Sequence, residues 1–505
     1  MSFILGIDSG LTVTKAAIYD AKGRQICVAR RSVAQLIPRP RHVERDMREL
    51  WSKTAEAIKE ALEISGIEPS AILAISQTAH GDGLYLLDSK RQPLGNGILS
   101  LDSRAHNIVE AWELDGTSSH SLSISGQKPH ASAPSAILAW IKENDPERFS
   151  KIAHIFTCKD WLRFCLTGEI ATDRTESSTS FTNVKIQVYD QEICKLFSLT
   201  DISDALPPVF HSAEVAGKLT DAAASLTGLK AGTPVATGLH DVTASALGMG
   251  GHSQNSLAIV AGTYSINQTV SDKPIFNENW FCRNAIEAGF WNNMAISPAS
   301  TTNYDWFVNT LCAADLKECE VKGTSIHEVL AEEVRNAGAS NAVFQPFLFG
   351  SPFGAQASAG LLGLKGWHTR GNIVAAILQG IVFNHCYHIE KLRTEFEIQT
   401  VHLSGGVSRN PIVPQLFADT LGQAIEVCDV EEAAAWGAAI CAGVSVGIFA
   451  NVDEARNEDS KTAAVYHPIS ANRKITCDLY EIFKTANEQM SPLWDRLDRT
   501  MGENN

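Results

Sequence analysis

The sequence has no CxxC pair among its eleven cysteines, so neither a disulfide scaffold nor a structural zinc site is expected. Cys165 in Trp161–Leu166 and Cys441 in Ala438–Val444 sit inside apolar segments, as buried free thiols do. Also missing is any run of about 18 apolar residues, so no transmembrane helix is expected. Met1 to Gly6 leads straight into strand-like sequence, without a basic region, an apolar stretch and a small-residue cleavage site. A cytoplasmic protein is the expectation. Positive charge is in deficit, with 42 Lys and Arg against 57 Asp and Glu and a net charge of −15. Such a field repels nucleic-acid phosphates and anionic lipid surfaces. It leaves room for a small anion, because a local cradle of amides and one metal ion outweighs the distant charge. What the chain does have is ordinary globular material, 44% hydrophobic and 20% charged over 505 residues. That length suits roughly two or three domains.

Strand and helix signals alternate along it. Phe3–Ile7 is apolar and extended, Ser9-Gly10 is turn chemistry, and Lys15–Tyr19 is extended again. Asp46 with Glu49 three residues later predicts a helix start. Met47, Leu50, Trp51, Ile58, Ala61 and Leu62 then share one face, and Gly66 closes the helix. Ala71–Ile75 follows as a buried strand. The second half repeats this grammar. Ser256–Val260 is a short strand ending at Ala261-Gly262-Thr263, and a helix near Gly371-Asn372 carries Ile373, Ile377 and Ile381. Val401–Ser404 delivers Gly405-Gly406, after which Asn410 caps a helix whose first position is Pro411. These patterns predict an α/β fold of two related domains with a cleft between them. Gly248-Met249-Gly250-Gly251 is the expected seam, giving domains 1–247 and 248–505.

Three places could carry chemistry. Asp8 ends a buried strand before a turn of small hydroxyl residues, where a carboxylate can organise Mg²⁺ through water. Thr12 and Thr14 could donate to phosphate oxygens, and Lys15 supplies positive charge; the competing reading is a plain hairpin with an Asx turn. Asp241, at the head of a helix that follows Pro234-Val235-Ala236, is placed as a general base. Its competing role is a helix N-cap. Gly405 and Gly406 let a planar group approach the backbone, and the helix after them favours negative charge. Here the alternative is an ordinary loop with an Asn cap. Downstream, Ala433–Ala439 is a small-residue helix suited to tight packing.

Taken in order, these segments resemble the FGGY family of carbohydrate kinases, within the actin-like (ribonuclease H-like) ATPase superfamily. The resemblance runs from about Phe3 to Gly447. It includes Gly6–Lys15, Lys159-Asp160-Trp161-Leu162, Thr172-Asp173, Gly238–Asp241, Ala261-Gly262-Thr263, Gly405–Pro411 and Gly437-Ala438-Ala439. It implies two actin-like domains, ATP as phosphate donor and Mg²⁺ as cofactor. Asp8 would then organise the metal, while Thr12, Thr14 and Lys15 contact the β- and γ-phosphates. Asp241 would take the proton from the sugar hydroxyl. Gly262 and Thr263 would meet the γ-phosphate, and Gly405, Gly406 and Asn410 the adenosine. In such phosphoryl transfer an aspartate of ordinary acidity suffices, because the alcohol proton leaves late.

The sugar is less legible. Gln77–Gly81 resembles the Gln-Met-His-Gly of xylulose kinases with one extra residue, which makes His80 either a hydroxyl ligand or a structural histidine. Asp102-Ser103-Arg104 matches the family's Asp-x-Arg beside the sugar, or else is an ion pair. Leu11 and Val242 stand where the family commonly has Thr and Asn or Gln. Stretches such as His42–Met47 and Gly95–Ser100 resemble the L-xylulose kinase branch. A kinase acting on a small ketose or polyol is therefore expected, an L-xylulose-type ketopentose foremost, with glycerol or erythritol kinase as the alternative. A non-catalytic ATP-driven or sugar-sensing protein is the alternative class. Expected partners are a sugar or polyol and ATP, without nucleic acid or membrane; a homodimer is left open.

Overall fold

The computed structural model describes residues 2–338, 340–410, 412–459 and 462–502, and these fall into two units. The first comprises Met1–Gln254, Val270–Asn293 and Val430–Ser460, and the second Asn255–Thr269, Met294–Asp429 and Lys461–Asn505.

In the first unit, six strands make one sheet: β1 Phe3–Ser9, β2 Val13–Asp20, β3 Gln25–Ser32, β4 Ile72–Ala79, β5 Val215–Lys218 and β6 Pro234–Ala236. Their order is β5-β6-β4-β1-β2-β3, with β1 antiparallel to β2 and parallel to β4. Strand alternation sends side chains to both faces, and both faces are apolar. Ile4, Ala17, Tyr19 and Ala74 meet Ala435, Ala438 and Ala439 on one side. Leu5, Ile7, Ala16 and Ile18 meet Ile58, Ala61 and Leu62 on the other.

The helix on that second face, Met47–Ser65, starts where the sequence places it. The Asp46 carboxylate accepts the amides of Arg48 and Glu49, and Gly66 ends the helix at φ 63°. Met47, Leu50, Ile58, Ala61 and Leu62 are buried, while Trp51 is half-buried. The first face is covered by Asp241–Gly248 and the small-residue helix Ala433–Ser445. A Cβ on Gly437 would lie 2.0 Å from the carbonyl oxygen of Ala244. Glycine is required there by the helix–helix approach itself.

The second unit repeats the pattern with β7 Ser256–Ala261, β8 Ser265–Ser271, β9 Thr400–Ser404, β10 Ile425–Cys428 and β11 Thr462–Tyr466. These run in the order β8-β7-β9-β10-β11. Again a strand is antiparallel to its hairpin partner and parallel to a later strand. Helix Arg370–Leu392 opens with a capping box between Thr369 and Asn372 and buries Ile377 and Ile381. Asn410 Oδ1 accepts the Ile412 amide at 3.1 Å at the head of helix Ile412–Leu421; Pro411 lies outside the described residues. No disulfide joins any of the eleven cysteines; Cys165, Cys428 and Cys477 are half-buried and the rest buried. Among the described residues no helix is long and apolar enough to cross a membrane.

Candidate active site

The β1–β2 register sets Asp8 opposite Lys15. Lys15 Nζ stands 3.5 Å from Asp8 Oδ2 and 2.7 Å from Glu432 Oε2. Burial pushes the Asp8 carboxyl above its ordinary range despite Lys15. Burial opposes the Lys15 charge too, but Asp8 and Glu432 outweigh it and hold the ammonium. Thr12 is exposed beside this pair. Thr14 points to the opposite face, where its buried hydroxyl lies 3.0 Å from that of Thr54. Strand alternation makes the difference: Lys15 and Thr14 are neighbours, so they cannot face the same way.

Asp241 is the first residue of its helix, and His240 holds the cap position. The Asp241 carboxylate accepts the Val242 amide at 2.8 Å and keeps a third of its surface exposed. Burial, with the charge of Asp8 behind it, pushes its pKa up to about 7. An aspartate of ordinary acidity is therefore not what the fold builds, because a carboxylate losing water next to another negative charge holds its proton longer.

Behind Asp241 lies a buried polar chain. His240 Nδ1 is 3.2 Å from Asp241 Oδ1, and His240 Nε2 is 3.1 Å from Arg283 Nη1. Arg283 also donates to Gln127 Oε1 at 2.9 Å and to Asp82 Oδ1 at 3.0 Å. Burial and the Arg283 charge bring the His240 pKa down to about 4, so the ring is neutral. Burial opposes the Asp82 charge, but Arg283 and His130 overcome it and hold that carboxyl well below the usual range. Reasoning from sequence missed Asp82, Gln127, His240 and Arg283 as site residues. Only His240 carried a local signal, its place directly before the expected base.

The expected sugar-facing residues have partners of their own. The buried His80 ring lies 3.2 Å from the Tyr85 hydroxyl through Nε2 and 3.4 Å from the Gly81 carbonyl oxygen through Nδ1. Burial and the charge of Arg45 lower its pKa to about 3. Arg104 donates to Asp102 at 2.9 and 2.8 Å and to Glu44 at 2.7 Å, and Asp102 Oδ2 accepts the Val43 amide at 2.7 Å. Asp102 and Arg104 form an ion pair, and both are buried.

In the second unit the two glycine turns meet. Gly405 has φ 106°, and a Cβ there would lie 2.3 Å from the carbonyl oxygen of Ala261, so only glycine allows the contact. The neighbouring Gly262 carbonyl accepts the Thr301 hydroxyl at 2.6 Å and the Thr301 amide at 3.1 Å. Thr263 is exposed at the same turn. Thr301, Gly406, Val407 and Asn410 line a cavity of about 620 Å³ together with Tyr304, His327 and Leu378. The Tyr304 hydroxyl lies 3.1 Å from His327 Nδ1. A partly aromatic cavity of this size suits a small organic ligand.

Residues 3–248 match the N-terminal domain of the FGGY family of carbohydrate kinases, and residues 257–446 its C-terminal domain. The chain is 34% identical to the L-xylulose/3-keto-L-gulonate kinase of Escherichia coli, over 90% of each protein. It is 34% identical to a probable L-xylulose kinase of Pasteurella multocida, over 90% of this chain and 93% of that one. Its fold is similar to that of a ligand-bound xylulose kinase from Lactobacillus acidophilus, with a TM-score of 0.89 at 21% identity, covering 98% of this chain and all of the other.

Proposed function

The chain belongs to the FGGY family of carbohydrate kinases and is an ATP-dependent sugar kinase, and from that premise we propose that it phosphorylates a hydroxyl of an L-xylulose-type ketopentose with Asp241 as general base. The observation that carries the reading is the Asp241 carboxylate itself, partly exposed at a helix head with its pKa near about 7. A base so poised accepts a hydroxyl proton near neutral pH and is still anionic enough to do so.

The remaining roles follow from chemistry. Lys15 and the exposed Thr12 are suited to the β- and γ-phosphates, as charge and hydrogen-bond donor. Thr14 holds β2 to helix Met47–Ser65 instead. Gly262 and Thr263 are suited to the γ-phosphate, and the cavity at Gly406 and Asn410 to adenosine, with Gly405 shaping the turn. Asp8 is a hard oxygen donor fit for Mg²⁺, which is commonly held by one or two carboxylates plus substrate phosphates. When bound, the ion would neutralise charge on the transferring phosphate. Free cysteines and ATP as substrate support a cytoplasmic location.

The sugar assignment leans on two relatives at 34% identity whose names carry L-xylulose. His80, Asp102 and Arg104 stay the residues assigned to the sugar side, although His80 already meets Tyr85 and Arg104 already pairs with Asp102 inside the protein. A coupled ADP-release screen over L-xylulose, D-xylulose, D-ribulose, erythritol, glycerol and sugar acids tests the proposal. L-Xylulose is expected to give the highest kcat/KM among the neutral acceptors. A higher value for glycerol or erythritol would overturn the ketopentose assignment.

A further inference from the structure

We infer that Thr175 is a positioning residue for the base: its hydroxyl, held by the buried Asp173 carboxylate, anchors the His240 backbone amide and so sets the start of the helix that begins with Asp241. This rests on the reading of Asp241 as general base.

The loop that delivers Asp241 is tied down residue by residue. The amides of Thr237, Gly238 and Leu239 donate to the backbone carbonyls of Glu214, Ser212 and Gln77 at 2.9, 3.0 and 3.3 Å. The Leu239 carbonyl accepts the Thr78 hydroxyl at 2.7 Å, and the Thr237 carbonyl accepts the Gln77 side-chain amide at 2.7 Å. His240 departs from this pattern. Its amide is the last before Asp241, and it donates to a side chain, Thr175 Oγ1, at 2.9 Å.

The hydroxyl can accept there because its own proton is committed elsewhere. Thr175 Oγ1 donates to Asp173 Oδ2 at 2.7 Å. A carboxylate only accepts and a hydroxyl has one proton, so the amide meets a lone pair. Ser212 Oγ donates to the same Asp173 oxygen at 2.7 Å, and Lys159 Nζ stands 3.1 Å from Asp173 Oδ1. Burial opposes the Asp173 charge, but Lys159 and the two hydroxyls overcome it and hold the carboxyl below its ordinary range. Lys159 also donates to Asp160 at 2.6 Å. Lys159, Asp160, Asp173 and Thr175 are all buried, so the chain from Lys159 through Asp173 and Thr175 runs inside the protein to the residue before the base. Asp173 has a second, local role, because it accepts the amides of Thr175 and Glu176 at the start of Arg174–Ser177. Those bonds come from the backbone and survive a change of the Thr175 side chain. The local turn and the link to His240 are therefore separable by substitution.

A general base displaced by about 1 Å loses rate far more than it loses affinity. The test is steady-state kinetics of the full-length enzyme with Mg-ATP and the best acceptor from the ADP-release screen. Thr175→Val keeps the shape of the side chain and removes the hydroxyl. Its kcat is expected to fall about 10- to 100-fold, with both KM values within about twofold. Thr175→Ser keeps the hydroxyl and is expected to hold kcat within about threefold. Unchanged kcat in Thr175→Val, equal loss in both variants, or a change confined to KM would overturn the inference. If Thr175→Val does not fold, Thr175→Cys takes its place, since a thiol accepts only weakly. A kcat at least about threefold below that of Thr175→Ser then supports the inference, and equal values contradict it. Asp241→Asn is run alone and combined with the position-175 variant. Positioning through the base predicts no further loss in the combined variant; a second loss of the same size there would overturn the inference. If Asp241→Asn itself stays active the base reading fails, whereas an inactive Asp241→Asn beside a fully active Thr175→Val refutes the role of Thr175 alone.

Discussion

Lys15 Nζ lies 2.7 Å from Glu432 Oε2, a contact between residues 417 positions apart. The same ammonium stands 3.5 Å from Asp8 Oδ2, so one cation serves two carboxylates. Glu432→Gln leaves Lys15 to Asp8 alone. The expected cost is about 1–2 kcal/mol of stability, less than a fully buried pair would give because Lys15 keeps a quarter of its surface exposed. Urea unfolding midpoints of the two proteins check it. With Glu432 neutral, the Asp8 carboxyl is also expected to titrate lower, because Glu432 is one of the charges raising it.

Activity should carry the titration of Asp241. The base works only when deprotonated, so kcat/KM for the sugar is expected to rise with pH through about 7 and level off above it. The stability effect has the opposite slope. A carboxyl raised in the folded state binds a proton that the unfolded chain has released. Its contribution is full below the ordinary carboxylate range and is lost as pH rises through about 7. Asp82 acts the other way, because its carboxyl is depressed: its contribution is present above the ordinary range and lost only in strong acid. Rate and melting temperature measured over one buffer series separate these signs.

The two neighbouring glycines of the second unit should respond differently to substitution. A Cβ on Gly406 meets nothing within 4 Å, while one on Gly405 would collide with the Ala261 carbonyl. Gly406→Leu is expected to fold normally and to raise the ATP KM at least about tenfold by filling the cavity. Gly405→Ala is expected to cost stability first, about 1–3 kcal/mol. Nucleotide titration together with thermal melts distinguishes the two.

Local signals carried much of the fold. Asp46, Glu49 and Gly66 mark helix Met47–Ser65 because capping is a property of adjacent residues. Asp8 and Lys15 were readable as candidate site residues on one tight hairpin, and the strand register then sets them opposite each other. The opposite facing of Thr14 was also present in the sequence, in the period-two alternation of a strand. The rest is long-range. Arg283 reaches Asp82 across 201 positions, and no periodicity reports where a lone arginine will land. The raised pKa of Asp241 comes from burial and the charge of Asp8, and neither belongs to the residues around it. Asp102 and Arg104 suited both an ion pair and a sugar contact from sequence; Glu44 and the Val43 amide, brought in by folding, complete the ion pair.

Turnover of Asp241→Asn bears most directly on the role given to this carboxylate. Amide for carboxylate keeps the size of the side chain and removes the base. With saturating Mg-ATP and L-xylulose, kcat is expected to fall about 10²- to 10⁴-fold, with both KM values within a few-fold and a folded, undiminished melting transition. Near-normal turnover in the purified variant would contradict the assignment and leave Asp241 as a helix-start residue that accepts the Val242 amide.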